Sequence, residues 1–72
     1  MNWDRWVIVD RLCRVGDTYI TKKFALRRRN IYEVEGAGKN SFVIVTNSCD
    51  RILCEGDMVK FVTDLEASGE EE

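Results

Sequence analysis

Ile31-Tyr32-Glu33-Val34-Glu35-Gly36-Ala37-Gly38-Lys39-Asn40-Ser41-Phe42-Val43-Ile44-Val45-Thr46 is the stretch on which the fold turns. Its first five residues alternate apolar and acidic positions with a period of two, the repeat of a strand with one wet face. Gly36 to Asn40 reads as a turn whose glycines supply unusual backbone angles. Phe42 to Val45 is β-branched and aromatic, and too short for an ordinary helix. The two runs therefore read as a β-hairpin. Tyr32 is out of phase with Ile31 and Val34, which points to a bulge beside it.

The same pattern extends outward. Asn47-Ser48-Cys49-Asp50 reads as a second turn, and Arg51-Ile52-Leu53-Cys54 as a strand that continues the meander. Upstream, Trp6-Val7-Ile8-Val9-Asp10-Arg11-Leu12 reads as a first strand. Downstream, Met58-Val59-Lys60-Phe61-Val62-Thr63 reads as a closing strand, or as one helical turn followed by a short strand. Between Cys13 and Asn30 the expectation is a long ordered loop anchored by Tyr19, Ile20, Phe24 and Leu26. Thr18–Thr21 offers a short strand within it, and Lys22–Arg29 two helical turns. The expected core is Val7, Val9, Ile31, Val34, Val43, Val45, Ile52 and Phe61. Residues 1–64 form one domain, since separate cores rarely form from fewer than about fifty residues each. Residues 65–72 read as an acidic, disordered tail.

Charge is segregated. Residues 1–50 hold nine basic and six acidic side chains, and residues 51–72 hold two basic and seven acidic, for a net −2. The densest basic feature is Lys22, Lys23, Arg27, Arg28 and Arg29, with no acid between Asp17 and Glu33. Cations so spaced suit phosphates or another anionic partner, and Tyr19 and Phe24 lie close enough in sequence to stack on bases. The bland alternative is a solvated loop paired with Glu33, Glu35 or the acidic end. Overall acidity argues against a dedicated DNA binder. Trp3 and Trp6 offer one tryptophan to cap an open barrel end and one, Trp3, as an interface anchor.

Chemistry is hard to place on these residues. The chain has no histidine, and Ser41 and Ser48 have no recognisable base partner, so no catalytic residue is assigned. Cys13, Cys49 and Cys54 lack the tight pairs of a structural zinc site, and they read as reduced thiols in a cytosolic protein. No metal or cofactor is expected. No run of about 20 apolar residues is present, so no membrane span is expected.

Val7-Ile8-Val9, a long loop, Asn30-Ile31-Tyr32-Glu33-Val34, Phe42-Val43-Ile44-Val45-Thr46-Asn47 and a terminal Phe61 together resemble the small SH3-like barrel proteins encoded by bacteriophages and prophages. Asn30 stands where those proteins usually carry glycine. The resemblance implies an all-β, five-stranded SH3-like barrel in a bacterial host cytoplasm, and it implies no catalytic residues. The expected function is non-enzymatic binding of a host macromolecule, foremost a host protein, that modulates host physiology. Nucleic-acid binding through Lys22–Arg29 and self-association as a homodimer are the alternatives.

Overall fold

The structure is a computed structural model that describes residues 5–70. Five strands form one antiparallel sheet: β1 (Trp6–Val15), β2 (Thr18–Arg27), β3 (Ile31–Gly38), β4 (Ser41–Thr46) and β5 (Arg51–Glu55). A single 3-10 turn (Arg28–Asn30) joins β2 to β3, and a helix, α1 (Met58–Glu70), follows β5. The strand order is β2-β1-β5-β4-β3. The sheet does not close: β2 and β3 are its edges, where a closed barrel was expected.

The meander β3–β4–β5 matches the sequence expectation. So does the bulge, since the β3–β4 register shifts between Ile31 and Glu33 and leaves Tyr32 exposed. A second shift falls between Gly36 and Gly38.

Two elements differ. The expected loop is β2, paired to β1 without a break from Trp6↔Arg27 to Val15↔Thr18. The turn Gly16-Asp17 makes this possible. Gly16 sits at φ +62°, and nothing lies within 4 Å of where its Cβ would be. Conformation alone therefore demands glycine, at the first central position of a two-residue hairpin turn whose twist matches the flanking strands. The expected closing strand is instead the start of α1. Met58, Phe61, Val62 and Leu65 recur at i, i+3, i+4 and i+7, a helical stripe. Asp57 caps it, its carboxylate accepting from the Val59 amide at 2.8 Å and the Lys60 amide at 3.2 Å. Lys60 and Asp64 pair at 2.8 Å one turn apart. The boundary expected at residue 64 falls inside this helix, and Leu65 is buried.

Because α1 covers one face of the sheet, the core lies between them. Val9, Leu26, Phe42, Ile44, Ile52 and Cys54 form one buried cluster, with Val7, Phe24, Ile31, Val34, Met58 and Phe61 packed against it. Phe42 and Phe61 stack with centroids 4.9 Å apart. Val43 and Val45, expected inside, point to the other face and are half-buried; the phase of β4 is the reverse of the expected one. Phe42-Val43-Ile44-Val45 is apolar at every position, so alternation cannot say which pair faces in. The side chains that meet α1 are the bulkier pair.

The three thiols are free, with Cys49 exposed, Cys13 half-buried and Cys54 buried. Burial pushes the Cys54 thiol up to about 11. A disulfide reagent at pH 8 is therefore expected to modify Cys49 first and Cys54 only after denaturant is added. Fast labelling of Cys54 in the native protein contradicts this packing; peptide mapping of the labelled chain reads the order.

Candidate interaction surface of the β1–β2 ribbon

In an extended pair, residues directly opposite share a face. Val9 and Phe24 face the core, so Trp6, Ile8, Asp10, Leu12 and Arg14 of β1 point away from it. Their partners Arg27, Ala25, Lys23, Thr21 and Tyr19 of β2 lie beside them. This outer face carries Trp6 at 58 % exposure, Ile8 at 58 % and Tyr19 at 60 %. The Arg27 guanidinium lies 4.3 Å from the Trp6 ring centroid, a cation–π contact between the two strands. Lys23 pairs with Asp10 at 3.0 Å, with both side chains well exposed. Thr21 donates from Oγ1 to the Glu55 carboxylate.

β5 pairs with β1 only at Asp10 and Arg11. Beyond Arg11 the ribbon has no third strand, and it runs out to Gly16 as a two-stranded arm. The molecule measures 43 × 23 × 19 Å. Val15 and Ile20 on the arm's other face are exposed as well. At the opposite end of the ribbon, Trp6, Val7 and Ile8 form one wall of a shallow groove whose other wall is Phe61, Asp64 and Leu65 of α1. A neighbouring depression continues it past Asp10, Glu55, Asp57 and Lys60. Apolar and charged side chains line the groove together, and the exposed Trp6 forms part of its wall.

The basic residues singled out in the sequence do not form one patch. Lys22 and Lys23 point to opposite faces of β2. Arg27 stacks on Trp6. Arg28 and Arg29 belong to the 3-10 turn, which replaces the expected helical turns. There the Arg28 amide donates to the Arg5 carbonyl at 2.8 Å, and Arg28 Nε donates to the Leu65 carbonyl at 3.4 Å. The Arg29 carbonyl accepts from Asn47 Nδ2 at 2.8 Å. Phe24, a candidate for base stacking, is half-buried against the core with the Arg11 guanidinium 5.1 Å from its ring centroid. Tyr19 is exposed and so does not anchor the segment as expected. Trp3 lies outside the described residues.

At the far edge the same face turns acidic. Arg51 donates to Glu35 at 2.5 Å and holds its carboxyl below the usual carboxylate range. A hydrogen bond with Glu35, and the charge that Glu35 keeps, push Glu33 above that range. The outer face thus grades from Lys23 and Arg27 near the β2 edge to Glu33 and Glu35 on β3.

Sequence reasoning did not assign Trp6 and Ile8 to the site. The signal that finds them is the period of two in β1, which puts them together on the face opposite Val7 and Val9. Among the described residues, no three histidine, cysteine, aspartate or glutamate side chains gather as a metal site would require. No described helix is long and apolar enough to cross a membrane. Comparison with protein-family models, with curated proteins and with solved structures finds no match.

Proposed function

We propose that this chain is a non-enzymatic binding module that docks onto another protein through the outer face of its β1–β2 ribbon. The observation that carries the reading is Trp6 standing exposed under Arg27, next to Ile8 and the groove against α1. Tryptophan, tyrosine and arginine are enriched among the side chains that dominate protein interfaces, and the two aromatics bring large contact area at low entropic cost. Most large apolar side chains of a monomer are buried, so this clustering calls for an occupant. The resemblance to phage-encoded SH3-like barrel proteins supports a host protein as that partner. The nucleic-acid alternative is weakened by Phe24, which packs inward, and by the division of the cations between two faces and a turn.

The test is affinity capture from bacterial lysate, with and without nuclease treatment, using the wild-type chain, Trp6→Ala and, as control, Val59→Ala on the exposed side of α1. A stoichiometric protein partner is expected for wild type and for Val59→Ala. Trp6→Ala is expected to lose about 2 kcal/mol of binding, roughly thirtyfold in Kd. Capture that disappears with nuclease treatment, or that Trp6→Ala leaves unchanged, refutes the reading.

A further inference from the structure

We propose that the free edge of β2 takes up an extended acidic segment of the partner protein as a sixth strand. The proposal rests on the reading of the β1–β2 ribbon as the docking element and gives its partner a chemistry.

The two edges of the sheet differ. β3 breaks register twice against β4 and carries Glu33 and Glu35. Bulges of this kind blunt an edge against pairing. β2 keeps register with β1 through all ten residues, and proline is absent from the chain. It is a long, regular edge, the type that accepts another strand.

The phase of the ladder identifies the groups on offer. The Arg28 amide bonds to the Arg5 carbonyl, so the even-numbered peptide groups of the strand face β1. The two-residue turn closing on Val15 and Thr18 sets the same phase. Tyr19, Thr21, Lys23, Ala25 and Arg27 therefore direct their amides and carbonyls away from the sheet, toward the position of a sixth strand.

Charge selects the occupant. From Thr18 to Asn30 the chain has five cations and no acid. Lys22 and Lys23 lie on opposite faces of the same edge, so an added strand meets a cation whichever way its side chains point. The Lys23–Asp10 pair is exposed on both sides, and such pairs are weak enough for the ammonium to serve a second carboxylate. A second copy fits poorly. Two β2 edges related by a two-fold axis set cations against cations, and like charges opposed across strands are destabilising. The acidic β3 edge of a neighbour is bulged. An extended acidic peptide satisfies both the backbone and the charge. If the lysines serve only to repel stray strands, the same edge binds no peptide of either sign.

The experiment titrates the isotope-labelled full chain with an acetylated peptide of about nine residues alternating Glu with Thr. A Lys–Thr peptide and a Glu–Thr peptide N-methylated at every amide, so that neither of its edges can donate, are the controls. The acidic peptide is expected to slow hydrogen exchange at the amides of Tyr19, Thr21, Lys23, Ala25 and Arg27, and neither control is expected to do so. The double variant Lys22→Glu/Lys23→Glu is expected to weaken binding about tenfold or more. So is Ala25→Pro, which removes one outward donor and leaves the bonds to β1 in place. Unchanged exchange at those five amides, or equal binding by either control, overturns the proposal. Perturbation confined to the Trp6 indole and Ile8 methyls overturns it too, while leaving the outer-face reading standing. Protection of the five amides in a chain whose lysate capture ignores Trp6→Ala supports strand addition and sinks the outer-face reading instead.

Discussion

Ile44→Ala is expected to destabilise the fold by about 2–5 kcal/mol, and Val43→Ala, one residue away, by much less. Ile44 is 0 % exposed at the centre of the cluster formed by Val9, Leu26, Phe42, Ile52 and Cys54. Truncating it removes apolar area from the core and leaves a cavity that a sheet pinned on both sides, by β3 and β5, cannot close. Val43 is half-buried on the face away from α1, opposite Leu53, so its truncation meets water rather than a void. A domain below about 80 residues rarely has more than about 3–5 kcal/mol from a single core, so Ile44→Ala is expected to be largely unfolded at 37 °C. Urea melts followed by tryptophan fluorescence measure both variants. Equal losses, or a larger loss for Val43→Ala, mean that β4 presents its other face to the core.

The strand character of β4 was legible in the sequence, because β-branched and aromatic residues in a short run between turns have few other homes. Its facing was not, because a run apolar at every position carries no alternation. Similar reasoning covers β1, where Val7 and Val9 face inward as expected and the neighbouring face holds Trp6. β2 was legible only in part, as a short strand at Thr18–Thr21, for a different reason. Its residues Thr18–Arg27 include three cations and two threonines among apolar neighbours, which resembles a loop when read alone. The Gly16-Asp17 pair is the cue, since glycine followed by aspartate between two extended runs specifies a tight hairpin. Once that turn is fixed, β2 needs only β1 as a template, and its polar positions are explained by its place at the sheet edge.

The candidate site was legible in part. The wealth of cations in residues 22–29 was plain from composition, but their distribution depends on strand alternation, which sends Lys22 and Lys23 apart and puts Arg27 over Trp6. No linear reading of charge separates a basic run on one face from the same run divided between two. Tyr19 and Ile20, expected with Phe24 and Leu26 to anchor the segment, are exposed; only Phe24 and Leu26 turn inward. Phe24, three residues from Arg27, alternates inward with Leu26 and is lost to any surface role.

Ending the chain after Asp57 is expected to abolish cooperative unfolding. An open sheet needs a second layer to bury its apolar face, and here α1 is that layer. The truncation removes Phe61, which stacks on Phe42; Met58, whose Sδ lies 3.7 Å from where a Cβ on Gly36 would sit; and the buried Leu65. Phe42, Val9 and the flanking part of β3 then face water. Each large side chain lost from a packed site is worth about 2–5 kcal/mol, so three together exceed what a domain of this size has in reserve. The truncated chain is expected to bind a hydrophobic dye and to lose its near-ultraviolet dichroism, while strand signal persists in the far-ultraviolet. Leu65→Ala in the full chain is expected to give a graded version, a loss of about 2–4 kcal/mol with cooperativity intact. Val59→Ala, at 68 % exposure on the same helix, is expected to stay within about 0.5 kcal/mol of wild type. A truncated chain that still melts sharply, at the midpoint of the full chain, means that the sheet is stable on its own and that Phe61 and Leu65 only rest on it.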